Sequence, residues 1–155
     1  AWLVCRNGEV CTSFVPQFRQ YLKNGLLPVP YGDAVADLKK GFSIVSTEQV
    51  LGELAKRLRC KKMIVVANTA GVFTDDPLKS KKAEFIPLID EKNYPKVRSM
   101  LKGSHGRDVT GGMLQKVEVL YRLAKKGICS QVIGGKEKGA LEKALLGREL
   151  GTVIK

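Results

Sequence analysis

The stretch Met63-Ile64-Val65-Val66-Ala67 decides the fold, because it is a continuous apolar run without polar alternation. Such a run is typical of a strand that is buried on both faces, as in parallel sheets covered by helices. The preceding segment, residues 46–58, has helical periodicity, and Ser46 with Gln49 forms a capping-box pair at its start. A polar loop, residues 68–82, follows the run. A helix, a buried strand and a loop in this order predict an α/β protein.

The same alternation continues in both directions along the chain. Short strands flank the hairpin signal Asn7-Gly8, and an extended segment, Leu26 to Pro30, leads into the turn at Tyr31-Gly32-Asp33. Strands that alternate with helices predict a mainly parallel sheet, in which ligands bind beyond the carboxyl ends of the strands. Further helices are predicted over 16–24, 95–101, 111–126 and 137–146, and further strands over 84–89, 128–133 and 151–154.

Length and composition restrict the possible partners. The chain has 155 residues with a formal net charge of +12, so we expect a single domain over 1–155 and an anionic partner. Nucleic acid is disfavoured, because the lysines lie in scattered pairs and aromatic residues make up only 6% of the chain. The 4 cysteines and the single histidine are too sparse for a metal site or a disulfide framework. No apolar run is long enough to span a membrane, and the chain is expected to be cytoplasmic.

A phosphate-binding signal lies in Asp108-Val109-Thr110-Gly111-Gly112-Met113, which is followed by Lys116. The two glycines open an amphipathic helix, and the free N–H groups at a helix start attract anions. Lys116, one turn into the helix, adds a positive charge. The pattern indicates a nucleotide, although an isolated motif of this kind more often contains an ordinary solvent-facing helix lysine, so the assignment of Lys116 depends on the surrounding motifs.

Several motifs together resemble the amino acid kinase superfamily, and the isopentenyl phosphate kinases most closely. They occur in family order as Tyr31-Gly32-Asp33, Gly41 to Ser46, Gly71-Val72-Phe73-Thr74-Asp75-Asp76-Pro77, Asp108 to Met113 with Lys116, and Gly151-Thr152. The resemblance covers the C-terminal, nucleotide-binding part of the family, whose N-terminal glycine-rich half has no counterpart in these motifs. It implies an open αβα sandwich.

The resemblance also implies an activity and its residues. ATP, with Mg²⁺, would give its γ-phosphoryl group to a small monophosphate, converting isopentenyl phosphate to isopentenyl diphosphate. Lys116 is the implied catalytic residue. The implied nucleotide-binding residues are Asn68, Thr69, Gly71, Phe73, Asp76, Pro77, Gly111, Gly112 and Lys116, and the implied acceptor-binding residues are Gly32, Asp33, Ser46, Thr47 and Glu48. No residue is assigned to a metal.

Two motifs depart from the family pattern. The acidic Thr-Asp-x-Asp-Gly of the family is here Ala67-Asn68-Thr69-Ala70-Gly71, and its Ser-Gly-Asp-Asp is Ser46-Thr47-Glu48-Gln49. A non-catalytic nucleotide-binding module and a basic nucleic-acid-binding protein therefore stay open as alternatives. Because a chain without the family's N-terminal half would expose a sheet edge and apolar surface, homo-oligomerisation is also expected.

Overall fold

A computed structural model describes residues 3–103 and 112–155, which fall into two units, Ala1–Cys60 and Lys61–Lys155. We call these the first unit and the second unit. Each contains a sheet with helices, so the predicted α/β class is confirmed. In the part of the chain that is described, no helix has the length and apolar character that crossing a membrane requires.

The strands of the first unit are β1 (Leu3–Arg6), β2 (Glu9–Ser13), β3 (Asp33–Asp37) and β4 (Gly41–Val45). They form one sheet of order β2-β1-β3-β4. The strands β1 and β2 form the predicted hairpin, whose turn residues Asn7 and Gly8 both have positive φ (56° and 85°). The strand β1 pairs in parallel with β3, and β3 pairs antiparallel with β4. The helices of the first unit are α1 (Pro16–Lys23) and α2 (Thr47–Leu58).

One face of this sheet forms the core of the first unit. Alternate residues of β1, β3 and β4 pack with Val50 of α2, since side chains on a strand alternate between its two faces. The helix α1 adds a second cluster, in which Val15 and Phe18 pack against Leu54. The residues of the first cluster are Leu3, Cys5, Val35, Val45 and Val50.

The buried carboxylate of Asp37 joins the two turns of this sheet. It accepts hydrogen bonds from the backbone N–H groups of Asn7 and Gly8 in the first turn (2.9 and 2.7 Å) and of Lys39 and Lys40 in the second (2.9 and 3.1 Å). The Ser43 hydroxyl donates to it at 2.6 Å. Burial opposes ionisation, but the bonds from Ser43 and the backbone hold the pKa of Asp37 well below its ordinary value.

The strands of the second unit are β5 (Lys62–Ala67), β6 (Val72–Phe73), β7 (Phe85–Ile86), β8 (Leu88–Ile89), β9 (Cys129–Gly134) and β10 (Thr152–Ile154). The main sheet has the order β5-β9-β10-β8, so the apolar run of residues 63–67 lies in an edge strand. Met63 and Val65 are buried but Val66 is 50% exposed, so the prediction that this strand is buried on both faces is wrong. The pairs β5–β9 and β10–β8 are parallel, while β10 runs antiparallel to β9. A small antiparallel pair, β6–β7, lies in the connection after β5. The helices of the second unit are α3 (Tyr94–Gly103), α4 (Gly112–Ala124) and α5 (Ala140–Leu145).

Helices cover the central strand β9 of the second unit. The helix α4 contacts β9 and β10, and its buried side chains include Val117, Leu120 and Leu123 of the predicted apolar face. The short helix α5 packs Ala140 and Ala144 against Ile133. All four residues from Ser130 to Ile133 are buried, as expected for a strand that has helices and neighbouring strands around it.

Parallel pairing is not evenly distributed between the two units. It accounts for two of the three pairings in the second unit's main sheet but for one of three in the first unit's sheet. The two antiparallel pairs of the first unit are hairpins, and a short turn between consecutive strands permits only antiparallel pairing. Long connections that contain helices allow the parallel pairs of the second unit.

Candidate functional site

The carboxyl ends of β5 and β9 lie side by side in the second unit. Their parallel register pairs Ala67 with Gly134, so the loops that follow both strands leave the sheet at the same edge. The antiparallel strand β10 begins at this edge too, because Thr152 is paired with Val132. We call Ala67–Gly71, Gly134–Lys136 and Gly151–Thr152 the carboxyl-edge segments. The sequence predicts a ligand at this edge, beyond the ends of the parallel strands, and this stays a prediction.

Glycine lets these segments approach each other closely. A Cβ on Gly134 would lie 3.1 Å from the Cα of Ala70, and a Cβ on Gly151, which has a φ of 62°, would lie 2.8 Å from the Ala70 oxygen. The N–H of Gly135 donates to the oxygen of Ala67 at 2.9 Å. Glycine is therefore required at these positions because the segments pack backbone against backbone.

A threonine that was not among the predicted site residues holds the edge together. The Thr152 hydroxyl accepts the N–H of Val72 at 2.8 Å and donates to the oxygen of Ile86 at 2.6 Å. The hydroxyl also explains why residue 71 is glycine, because a Cβ at this position would lie 2.6 Å from it. The Gly151-Thr152 motif was a signal for this residue. Its role could not be predicted from the sequence, because Thr152 and its hydrogen-bond partner Val72 are 80 residues apart.

The other predicted residues of the 68–77 segment have local roles as well. The side chain of Asn68 is exposed, and the Thr69 hydroxyl donates to the Gly71 oxygen at 2.8 Å. Phe73 packs edge-on against Phe85, with ring centroids 5.5 Å apart. The Asp76 carboxylate accepts the N–H of Leu78 at 3.0 Å, across Pro77. These contacts shape the loop, and the assignment of the segment to a nucleotide stays a prediction.

The helix start with Lys116 lies at the same edge by topology. The chain turns at Gly127, between the end of α4 and the start of β9, so the beginning of α4 lies towards the end of β9. Gly112 opens the helix with a φ of 54°, and Lys116 follows one turn later as a half-buried residue. Gly111, together with the Asp108–Thr110 part of the motif, lies outside the described residues.

The predicted acceptor residues come together within the first unit. The N–H of Gly32 donates to the Thr47 hydroxyl at 3.0 Å, and a Cβ on Gly32 would lie 2.5 Å from the Val45 oxygen. Asp33 pairs with Val45 across the β3–β4 hairpin, which places it beside the strand that leads into α2. Only glycine allows this approach between the turn and the helix start.

The start of α2 is a complete capping box. The Ser46 hydroxyl accepts the N–H of Gln49 at 3.2 Å, and the Ser46 N–H donates to the Gln49 side chain at 2.9 Å. Ser46 and Thr47 are therefore already hydrogen-bonded within the protein, and Glu48 adds a negative charge to the first turn. This geometry is explained by capping alone, so the acceptor role of these residues stays a prediction.

Sequence comparison places these features in a family. The sequence model of the amino acid kinase family matches residues 3–134. The isopentenyl phosphate kinase of Methanothermobacter thermautotrophicus is 34% identical over 99% of this chain and 58% of its own length. That of Methanocaldococcus jannaschii is 34% identical over 88% of this chain and 48% of its own length.

A solved structure supports the same relationship. An X-ray structure of isopentenyl phosphate kinase superposes with a TM-score of 0.80 and 29% identity, covering 99% of this chain and 56% of that chain. A substrate complex of isopentenyl phosphate kinase superposes with a TM-score of 0.69 at 16% identity, which concerns the fold alone. This chain thus spans between about half and three-fifths of the length of these relatives, and it belongs to the amino acid kinase family.

Proposed function

We propose that the chain is an ATP-dependent phosphotransferase that resembles isopentenyl phosphate kinase. The single observation that carries the proposal is the carboxyl edge of the second unit, where glycine-lined backbone segments meet at the end of the sheet at which α4 begins. The family membership and the similarity to isopentenyl phosphate kinases support ATP as the phosphoryl donor and a small monophosphate as the acceptor.

The proposed chemistry depends on position and charge. Phosphoryl transfer needs few covalent steps from the protein, since the main requirement is to hold the phosphates and to stabilise developing negative charge. Backbone N–H groups of the carboxyl-edge segments and of Gly112 would contact the ATP phosphates. Lys116 would stabilise charge on the transferred group. In the first unit, Gly32 and Asp33 with Ser46–Glu48 would contact the acceptor phosphate.

The described residues at this edge offer no carboxylate to a magnesium ion, and Asp108, ahead of α4, lies outside the described residues. Mg²⁺ in phosphate sites is usually bound by one or two carboxylates together with substrate phosphates. The carboxyl-edge segments contain no Asp or Glu, and the described residues include no group of three His, Cys, Asp or Glu that could hold a metal. No step is therefore assigned to a protein-bound metal.

A phosphorylation assay tests the proposal. The purified chain is mixed with MgATP and isopentenyl phosphate, and isopentenyl diphosphate and ADP are measured by mass spectrometry. We expect product with the wild type and none with Lys116→Ala. The control Lys126→Ala changes an exposed lysine just beyond the end of α4 and should retain the activity. ATP binding without product under these conditions would instead support a non-catalytic nucleotide-binding module.

The non-catalytic nucleotide-binding module is favoured by two departures from the family pattern. The segment from Ala67 to Gly71 has lost both carboxylates of the family pattern, and Thr47 replaces the family's glycine at the start of α2. The third alternative, nucleic-acid binding, predicts affinity for RNA or DNA that falls steeply with salt and persists in Lys116→Ala. No described feature supports it beyond net charge.

A further inference from the structure

The first unit contains two Asn-Gly pairs, Asn7-Gly8 and Asn24-Gly25. An asparagine that precedes glycine has a side-chain amide that the next backbone nitrogen can attack, because glycine has no Cβ to block the approach. Both asparagines are exposed, and both glycines have positive φ (85° and 72°). The two pairs therefore share their sequence and their exposure, and they differ in what holds the glycine N–H.

A carboxylate holds the first pair. Asp37 accepts the N–H of Asn7 through Oδ1 at 2.9 Å and the N–H of Gly8 through Oδ2 at 2.7 Å. Hydrogen bonds to a carboxylate are charge-assisted, and a negative charge beside the Gly8 nitrogen opposes the loss of its proton. Both bonds must break before this nitrogen can act as a nucleophile.

Neutral backbone groups hold the second pair. Asn24 follows the last residue of α1, and the N–H of Gly25 donates to the Leu22 oxygen at 3.1 Å. The N–H of Leu26 donates to the Tyr21 oxygen at 2.9 Å, which completes a Schellman motif at the end of the helix. Helix ends on the surface open locally at a low cost, and neutral hydrogen bonds are weaker than charge-assisted ones. The Gly25 nitrogen is therefore released more readily than that of Gly8.

We propose that Asn24 is a site of spontaneous deamidation and that Asp37 protects Asn7 from the same reaction. In this reaction the glycine nitrogen loses its proton and bonds to Cγ of the asparagine. The bond between Cγ and Nδ2 breaks, and the amide nitrogen leaves as ammonia after taking up a proton. Water then opens the cyclic imide at either of its two carbonyl groups, which gives aspartate or isoaspartate.

Deamidation at Asn24 changes the end of α1. Either product places a negative charge at the helix terminus that already carries partial negative charge. Isoaspartate also adds a methylene group to the backbone inside the Schellman motif, so the hydrogen bonds of Gly25 and Leu26 cannot both keep their geometry. The expected product is a more acidic form of the chain in which the last turn of α1 is frayed.

Peptide mapping compares the two asparagines in one sample. The folded wild-type chain is kept in mildly alkaline buffer and digested at low pH, and mass spectrometry follows the deamidated fraction of the Asn7 and Asn24 peptides. We expect Asn24 to react about tenfold faster than Asn7 in the folded chain, and both to react at similar rates in urea. Equal rates in the folded chain, or faster reaction at Asn7, would overturn the proposal. The same difference in urea would also overturn it, because the preference would then belong to the sequence and not to the fold.

Two variants separate protection by the carboxylate from general stability. Asp37→Asn removes the charge, and we expect deamidation at Asn7 to become about tenfold faster while the rate at Asn24 is unchanged. The control Ser43→Ala removes a 2.6 Å hydrogen bond to the same carboxylate but leaves the bonds from Asn7 and Gly8, so Asn7 should stay protected. An unchanged rate at Asn7 in Asp37→Asn, or an equal rise in the two variants, would count against the proposal.

Discussion

Asp37 shows how a single buried carboxylate organises the first unit. Its oxygens accept four backbone N–H groups from two turns and the hydroxyl of Ser43. We expect Asp37→Asn to lower the free energy of unfolding, because an amide accepts fewer of these hydrogen bonds and carries no charge. Urea denaturation measures the loss. An unchanged denaturation midpoint would show that the two turns do not depend on this carboxylate.

The same residue predicts a dependence of stability on pH. The pKa of Asp37 is lowered in the folded chain, so its contribution is fully present above the unfolded pKa of about 4 and is lost as the pH falls towards the folded value. The stability difference between wild type and Asp37→Asn should therefore be constant from pH 7 to about pH 5 and shrink at lower pH. Chemical denaturation at several pH values checks this, and a difference that grows on acidification would contradict it.

Thr152 is the corresponding residue of the second unit. Thr152→Val keeps the shape but leaves the N–H of Val72 and the oxygen of Ile86 without this partner inside the protein. We expect a loss of about 1–3 kcal/mol in the free energy of unfolding. Thr12→Val, at an exposed position of β2, is the control and should cost much less. Equal effects in the two variants would mean that the buried hydroxyl is not needed.

At the scale of elements, close packing of strand ends and loops explains which glycines are required. A Cβ at Gly71 would meet Thr152 and Phe85 at 2.6 and 2.8 Å, whereas a Cβ at Gly135 would approach mainly the side chain of the exposed Val66, at 2.9 Å. We expect Gly71→Ala to destabilise the chain by about 1–3 kcal/mol through overpacking, and Gly135→Ala to cost less. Thermal and urea unfolding of the two variants compare them directly, and the reverse order would be inconsistent with this packing.

Elements with strong local signals were predictable from sequence. The turn at Asn7-Gly8 and the capping box at Ser46 follow from local physical preferences. The apolar run around Val65 correctly predicted a strand, but its burial on both faces was wrong, because the position of a strand in its sheet depends on distant segments. The hairpin of β3 and β4 was missed, because Asp33 to Asp37 contains alanines and aspartates that lack β propensity. The strand β3 has partners that lie far away in the sequence, namely β1 and the Asn7 and Gly8 N–H groups bonded to Asp37.

The candidate site was only partly predictable for the same reason. The Gly112–Lys116 helix start and the loop after β5 were recognisable from motifs, and a parallel sheet predicted that they share an edge. The insertion of β10 between β9 and β8 could not be predicted, because it depends on pairing between segments far apart in sequence. Thr152 was therefore absent from the predicted site residues. The assignments of a single domain and of a cytoplasmic location stay predictions.

At the scale of the whole molecule, homo-oligomerisation stays a prediction with one structural reason. Phe42 and Ile44 are 69% and 71% exposed on β4, which is the last strand of its sheet in the described part of the chain. Apolar residues on an unpaired edge favour self-association. We expect the double variant Phe42→Lys with Ile44→Lys to reduce concentration-dependent association in sedimentation velocity experiments.

A control pair separates edge pairing from general surface hydrophobicity. Leu145 and Leu146 are 71% and 80% exposed at the end of α5, so lysines there remove a similar apolar area without touching a strand edge. If association persists in the β4 variant but disappears in this control, the self-association surface is at α5 and not at β4. Wild-type chains that stay monomeric at all concentrations would contradict the prediction of oligomers.

The account depends above all on nucleotide phosphates being bound at the carboxyl edge of the second unit, with Lys116 in contact with them. The most direct measurement is isothermal titration of MgATP into the wild type, Lys116→Ala and Lys126→Ala. We expect binding to the wild type, a loss of about 10- to 100-fold in Lys116→Ala, as for a charge-assisted hydrogen bond, and wild-type affinity in Lys126→Ala. Equal affinities in the three proteins, or no binding by the wild type, would contradict the account.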